Sequence, residues 1–308
     1  MNALVTGGAG FIGSNLVGEL VRKGHSVTVL DNLSSGYLEN LSEIKGVRFW
    51  QGDICSADDV ALAMQSCDLV FHLAASVGNK RSIDNPIRDA EVNVLGTINV
   101  LEQARRQGNV RKVVMASSAG IFGELKYLPI DEEHPAEPDS PYGATKLASE
   151  KLGLLYARMY PFDVIALRYF NVYGRNQRFD AYGNVIPIFT FKLLRGEPLE
   201  VFGDGEQTRD FIHVDDLVQA NMKSAEADGV SGAFNIGSGT TVIINTLISL
   251  LGRVSGQSPN VLYSGRRLGD VLDSCADISK ARNLLDFRPS VNIEQGIEDY
   301  VSWARGVL

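Results

Sequence analysis

Tyr142 and Lys146, in the run Tyr142-Gly143-Ala144-Thr145-Lys146, stand at i and i+4. On a helix these positions share a face. A phenol titrates near pH 10 and is a poor base at neutral pH. A neighbouring ammonium favours phenolate and brings the tyrosine toward the working range of a general base. Ser117-Ser118 ends an apolar strand-length run, where a hydroxyl can hydrogen-bond the oxygen that loses its proton. Taken alone, the pair also reads as an incidental feature of an amphipathic helix, and the serines as turn formers.

A second constellation gives these residues a cofactor. Gly7, Gly10 and Gly13 form GxxGxxG between a short apolar run, Ala3–Thr6, and a helical pattern. The first glycine permits the tight turn, the middle one lets backbone approach a pyrophosphate, and the third lets helix and sheet pack closely. The free N–H groups and the dipole at the helix start attract phosphate. Asp31 ends the second strand-like run. A carboxylate there accepts from an adenosine ribose and repels a 2′-phosphate, so NAD is expected rather than NADP. Asp53, in Gly-Asp-Ile, is expected near the adenine, and His72-Leu73-Ala74-Ala75 offers small residues against which a dinucleotide can lie. The cationic nicotinamide is expected to add to the effect of Lys146 on Tyr142.

The elements that must position these groups alternate. Strands are expected at Ala3–Thr6, Ser26–Leu30, Val47–Gln51, Asp68–His72, Arg111–Ala116 and Val164–Arg168. Helices are expected at Phe11–Lys23, around Ala57–Met64, at Pro86–Arg106 with proline in the first turn, and at Ser140–Tyr160. Nearly continuous apolar strands alternating with helices imply a parallel sheet covered on both faces and wound in both directions. After about Gly174 the rhythm breaks into a polar loop, Arg175–Val185. Helices are then expected at Pro187–Arg195, Val214–Ala227, Thr241–Val254, Ser279–Leu285 and Ile293–Leu308, with short strands near Leu199–Phe202 and Ala233–Ile236. The fold class is α/β: a doubly wound Rossmann sheet over 1–174, returning within roughly 199–240, with a smaller α/β lobe interleaved over 175–308.

The chain has 308 residues, long enough for a full core without staples. It carries 29 Lys and Arg against 37 Asp and Glu, net −8, which disfavours nucleic acid and anionic membranes as partners. Cys55, Cys67 and Cys275 have neither metal-ligand nor disulfide spacing, so reduced thiols, no metal and a cytoplasmic location are expected. No run reaches the roughly 18 apolar residues of a membrane helix, and the glycine-rich start does not read as a signal peptide. The sequons at Asn32 and Asn40 then carry no meaning.

With TGGAGFIG at 6–13, the acid at 31, YGATK at 142–146 and RYFNVYG at 168–174 in fixed order, the chain resembles the extended short-chain dehydrogenase/reductase superfamily. GDGEQTRDFIHVDD at 203–216 and RLGDVLDSCADISKA at 267–281 narrow the resemblance to nucleotide-sugar epimerases of the UDP-glucose 4-epimerase family. It runs from Ala3 to about Trp303. It implies a tightly held NAD, a UDP-sugar substrate and interconversion at C4 through transient oxidation. Tyr142 becomes the base, Lys146 the group that holds the nicotinamide ribose and tunes it, and Ser118 the catalytic hydroxyl. The implied cofactor set is Gly7, Gly10, Phe11, Ile12, Gly13, Asp31, Asn32, Ser35, Gly36, Asp53, Ile54, Leu73, Ala74, Ala75, Asn93, Tyr142, Lys146 and Tyr169. The implied substrate set is Ser118, Tyr142, Asn171, Asn184, Val185, Leu199, Phe202, Arg209, Arg267, Asp270 and Ser274. Among these Leu199 and Phe202 flank the uracil, Arg209 and Arg267 hold the phosphates, and Asp270 takes the uridine ribose. The helices 86–106 and 140–160 imply a four-helix homodimer contact.

The competing readings are a nucleotide-sugar dehydratase, a UDP-glucuronate decarboxylase, a UDP-glucuronate 4-epimerase and a non-catalytic NAD or sugar-nucleotide sensor. Dehydratases of the superfamily carry an acidic pair after the catalytic hydroxyl and decarboxylases a glutamate in that segment, whereas Ala119-Gly120 follows Ser118 here. A sensor commonly loses the Tyr–Lys pair, which this chain keeps. Ser274 aligns with a gate residue of the family, and its small size leaves room for a 2-acetamido group. Asn79, Lys80 and Arg81 read as a solvated polar loop. His213 with Asp215-Asp216 reads as a helix cap, His72 as a strand-end hydrogen-bonder, and Cys275 as a thiol without a basic partner.

Overall fold

The computed structural model describes residues 1–180, 183–266 and 271–308. Its centre is a seven-stranded parallel sheet. The strands are β1 (Asn2–Thr6), β2 (Ser26–Asp31), β3 (Val47–Gln51), β4 (Leu69–His72), β5 (Lys112–Ser118), β6 (Asp163–Tyr169) and a late strand, Gly232–Ile236, which closes the order late–β6–β5–β4–β1–β2–β3. The order reverses at β1, with Val5 paired to Val29 on one side and Phe71 on the other. A ligand crevice opens at such a switch, beyond the carboxyl ends of the strands.

Alternate residues of each strand feed two cores. Leu4, Val70, Val113 and Val164 enter one; Val5, Phe71, Val114 and Ile165 enter the other. Both faces are therefore buried, which is why the strands read as nearly unbroken apolar runs. Helix α1 (Phe11–Arg22) follows β1, and α2 (Ala57–Ala63) follows β3. Ser56 caps α2 by accepting from Asp59 N–H at 3.2 Å.

The expected continuous helix 86–106 is broken. It comprises α4 (Pro86–Ala90), a π turn (Glu91–Gly96) and α5 (Thr97–Gln107), preceded by α3 (Asn79–Asp84). The extra residue of the π turn is invisible to apolar periodicity. Its position is fixed by hydroxyls: Thr97 Oγ1 donates to the Asn93 carbonyl at 2.6 Å, and Ser149 Oγ donates to the same oxygen from the facing helix. The expected polar loop at Asn79, Lys80 and Arg81 is the short helix α3. Tertiary bonds hold it: Ser140 Oγ donates to Asn79 Oδ1 at 3.1 Å, and Tyr142 N–H donates to Ser82 Oγ at 3.0 Å.

Helix α6 (Pro141–Met159) has proline at its start and Ser140 as cap, accepting from Gly143 N–H at 3.2 Å. After β6 come β7 (Asn171–Tyr173), α7 (Val185–Leu194), β8 (Leu199–Phe202), β9 (Thr208–Arg209), β10 (Phe211–His213) and α8 (Val214–Glu226). The late sheet strand is β11, followed by β12 (Val242–Ile243), α9 (Ile244–Ser255), β13 (Val261–Ser264), α10 (Ser279–Leu285) and α11 (Ile293–Gly306). Within the stretch expected to return to the main sheet, β11 does so, whereas β8 pairs with β13 in the lobe. A third core, including Ile186, Phe189, Leu199, Leu247 and Ile297, joins α7, α9 and α11. No described helix is long and apolar enough to cross a membrane.

Candidate active site

The glycine loop fits a dinucleotide by contact. Gly7 has φ +70°, and a Cβ there would lie 2.8 Å from the Ala74 nitrogen, so this turn and the loop after β4 meet backbone to backbone. A Cβ on Gly13 would lie 2.1 Å from the Gly7 carbonyl oxygen. Helix α1 starts with no side-chain cap and no acid in its first turn. The N–H groups of Phe11 and Ile12, without intrahelical acceptors at this position, are available to an anion. Asp31 accepts from Ala9 N–H at 2.9 Å and Leu33 N–H at 2.8 Å. Burial pushes its carboxyl up and these two bonds restrain the rise. Gly36 presses against Ala9 and the Asp31 carboxylate, where a Cβ would be 3.0 Å from each. The close turn, the open α1 start and the carboxylate at the end of β2 fit a dinucleotide: the α1 start would receive a pyrophosphate and Asp31 a ribose.

Beyond Asp31 the expected contacts divide. Asp53 accepts from Asn32 Nδ2 at 3.1 Å, Arg88 at 3.0 Å and Cys55 N–H at 2.8 Å, and its carboxyl is held below the usual range by these partners despite burial. Asn32 and Ser35 are exposed, while Leu73, Ala74 and Ala75 are half-buried along the crevice. Ile54 is buried in the core, against the space a side chain on Gly96 would need. Tyr169 is also in the core, and its hydroxyl donates to Asn221 Oδ1 at 3.0 Å.

At the end of β5 the two serines separate. Ser117 Oγ donates to Glu150 at 2.7 Å, within a buried set where Glu150 pairs with Arg168 at 2.8 Å. Ser118 Oγ accepts from Gly120 N–H at 3.1 Å, and a Cβ on Gly120 would lie 3.3 Å from that hydroxyl and 3.6 Å from the Tyr142 ring, so the two side chains flank one point. One turn along α6, Lys146 is buried and donates to the Ala116 carbonyl. Burial brings Lys146 down to about 8, against the pull of Asp89 and Glu150. Tyr142 departs from the sequence expectation. Its phenol is pushed up, chiefly by burial and further by Asp89, with the nearby Ser118 hydroxyl opposing. The phenol thus moves opposite to the direction expected from Lys146 alone.

Asn93, expected near the nicotinamide, is held in the π turn. Its Oδ1 accepts from Ser76 N–H at 2.8 Å, and its Nδ2 donates toward Ser76 O, Asp89 and Thr145. That amide is committed to protein, so Asn93 acts on the site by fixing the loop after β4. His72 is buried between Thr6 and Thr97 hydroxyls, and burial brings it down to about 3, so it is neutral there.

Residues 3–237 match the NAD dependent epimerase/dehydratase family. The chain belongs to that family. NAD is its cofactor. A UDP-glucose 4-epimerase of Mycolicibacterium smegmatis is 39% identical over 310 residues, 99% of both chains. The structure of a UDP-N-acetylglucosamine 4-epimerase from Methanobrevibacter ruminantium, solved with UDP-N-acetylmuramic acid, superposes with a TM-score of 0.95 at 35% identity, covering 100% of this chain and 99% of that one. A UDP-glucuronic acid 4-epimerase from Bacillus cereus, solved with its substrate and NAD, gives 0.92 at 31% identity over 100% of both.

Apart from Ser118 and Tyr142, the described residues expected for the family's sugar nucleotide lie in the lobe and the segments crossing to it. Asn171 donates to the Asp210 carbonyl at 3.0 Å, and Asn184 precedes α7, which begins at Val185, with its amide turned to the Val172 carbonyl rather than to the helix start. Phe202 is half-buried at the end of β8. Leu199, expected to flank the uracil, is fully buried in the lobe core. Arg209 donates to the carbonyls of Thr208 and Leu272 at 2.8 and 3.2 Å. Ser274 is buried in the segment pinned by Asp210, which accepts from Ala276 N–H at 3.0 Å. Arg267 and Asp270 lie outside the described residues. His213 caps α8 as expected, and Asp216 accepts from Ser290 and Val291. Burial raises all three thiols, Cys55 and Cys67 to about 11.

Sequence reasoning missed the loop after β7 as a clasp. Asn176 donates to Ser14 Oγ at 2.9 Å, Asn15 donates to the Arg175 carbonyl at 2.9 Å, Arg178 lies 4.1 Å above the Tyr37 ring, and Asp180 pairs with Arg81. It also missed Asp89, fully buried beside α6. The only local signal was an acid four residues before Asn93, on the same helix face.

Proposed function

We propose that the protein interconverts the C4 epimers of a UDP-sugar. The observation that carries this reading is the placement of Ser118 Oγ and the Tyr142 ring around the same point at Gly120, with Lys146 one helical turn along α6 and no acid following Ser118. NAD, when bound, would supply the acceptor and donor of the C4 hydride. Tyr142 holds the O4 proton and gives it back; Ser118 orients that oxygen. Lys146 keeps a positive charge beneath the pair. An elimination would need an added acid at the position of Ala119-Gly120, which supplies none.

In this reading Arg209, Arg267 and Asp270 grip the nucleotide so that only the sugar turns. Ser274 leaves space beside C2, so UDP-GlcNAc and UDP-GalNAc are substrates alongside UDP-glucose and UDP-galactose. The reading includes a homodimer, because α4, the π turn and α6 expose Ile87, Leu95, Leu155 and Met159.

The test is turnover of purified NAD-loaded protein with UDP-glucose, UDP-GlcNAc and UDP-glucuronate in parallel, the products resolved by NMR. Formation of the 4-epimer of the first two supports the reading. Conversion of UDP-glucuronate alone would replace the substrate class. Loss of water or carbon dioxide would overturn epimerisation.

A further inference from the structure

Asp89 is fully buried on α4 and its environment is unusual for a carboxylate. Oδ2 accepts from Thr145 Oγ1 at 2.5 Å and from Asn93 Nδ2 at 3.2 Å. Oδ1 is buried and has no hydrogen-bond partner among the described residues. Removing a carboxylate from water without full pairing is costly. Thr145 is the residue next to Lys146 and one turn from Tyr142. The carboxylate thus grips α6 between the two groups that the reading above makes catalytic, on which this inference rests.

We propose that Asp89 is a positioning residue for the Tyr142–Lys146 pair: through the bond it accepts from Thr145 it fixes the face of α6 that presents both side chains, and it sets a buried carboxyl beside them.

The surrounding charges leave this role to few groups. Asp89 acts on both Tyr142 and Lys146, raising each. Glu150, on α6 itself, also acts on Lys146 but is paired with Arg168. His72 on β4 is neutral at working pH. Arg88, beside Asp89 on α4, is turned to Asp53 and Glu91. Lys80 and Arg81 on α3 pair with Asp84 and Asp180 at the surface. Asp89 is therefore the carboxylate that can set both ionisations together.

The sign follows. Neutralising Asp89 removes an opposition to phenolate, so the acid limb of the kcat–pH profile, where Tyr142 loses its proton, moves to lower pH. It also removes support for the ammonium, which burial already holds near 8, so the alkaline limb moves to lower pH as well. The whole profile shifts acidward.

The experiment compares NAD-loaded Asp89→Asn, Asp89→Ser and Asp89→Glu with the parent and with Tyr142→Phe. Both neutral variants are expected to shift both limbs to lower pH and to lose turnover severalfold at pH 9 relative to pH 7, while Asp89→Glu keeps the parent limbs. Ultraviolet titration of the phenol, referenced to Tyr142→Phe, reads the same acidward shift without turnover. Unchanged limbs and an unchanged phenol titration in a folded neutral variant, with kcat merely lowered, would overturn the proposal. Equal shifts in Asp89→Glu and Asp89→Asn would do the same. Full activity of Tyr142→Phe would instead remove the catalytic assignment itself, whatever Asp89 does.

Discussion

Replacing Gly13 by alanine tests the reasoning about the cofactor loop most directly. The new Cβ would lie 2.1 Å from the Gly7 carbonyl oxygen and 2.7 Å from the Gly8 Cα, all of it backbone that cannot rotate away. Ordinary contact begins at 3.4 Å, so the oxygen must retreat by about 1.3 Å. Hydrogen bonds of N–H to oxygen span only about 0.5 Å of distance. The displacement therefore exceeds what the Phe11 and Ile12 N–H groups can tolerate while still reaching phosphate. Two charge-assisted bonds at about 1.5–3 kcal/mol each amount to about 3–6 kcal/mol, or roughly 10²- to 10⁴-fold in NAD affinity. The fold itself loses about 1–3 kcal/mol from overpacking. The assay is NAD released on denaturation, quantified per chain, with the dissociation constant measured by titration calorimetry. Gly24→Ala is the control. Its φ is +78° but nothing lies within 4 Å, so it costs about 1–2 kcal/mol of backbone strain and leaves NAD content unchanged. Parent-level NAD in Gly13→Ala would refute the argument, as would equal loss in Gly24→Ala.

Tyr142→Phe is expected to lower kcat by about 10²- to 10⁴-fold with NAD content intact; retained turnover in a steady-state assay would remove the tyrosine from the chemistry. Arg168→Met strands the buried Glu150 charge and should cost about 3–5 kcal/mol, lowering Tm by on the order of 10 °C in calorimetry; an unchanged Tm would mean the pair is dispensable. Ser274→Tyr should reduce kcat/KM for UDP-GlcNAc at least about tenfold more than for UDP-glucose, and equal losses would exclude a gate. Ile87→Glu should halve the mass seen by light scattering if α4 lies in a dimer contact; a mass unaffected by the charge would put the contact elsewhere.

What the sequence revealed was local. The glycine turn, the acid at the end of β2 and the Tyr142–Lys146 spacing each need only a few neighbouring residues, and each stands where strand and helix periodicity put it. What it concealed depends on distant partners. Nothing in Leu199–Phe202 distinguishes pairing with Val261–Ser264 from a return to the main sheet. The burial of Ile54 depends on Gly96, and the commitment of the Tyr169 hydroxyl depends on Asn221, each far along the chain. The π turn is held by Ser149 across a helix interface, and α3 by Ser140 and Tyr142. The elevated Tyr142 phenol escaped notice for a related reason. Spacing reports that an ammonium is close, but burial and Asp89 act through the packed surroundings.

The π turn also acts as a phase shifter between α4 and α5. Each residue of a helix advances the side-chain direction by about 100°. Deleting one residue from Glu91–Gly96 would straighten the segment into ordinary helix and ease its backbone. With α5 fixed by the core, the whole of α4 would turn by about that angle. Asp89 would swing away from Thr145, and Ile87 would leave the outer face for another. One residue therefore sets the register between an exterior apolar surface and an interior charge, so the surface by which copies would meet and the charge beside Tyr142 and Lys146 cannot be altered independently by changes in helix length.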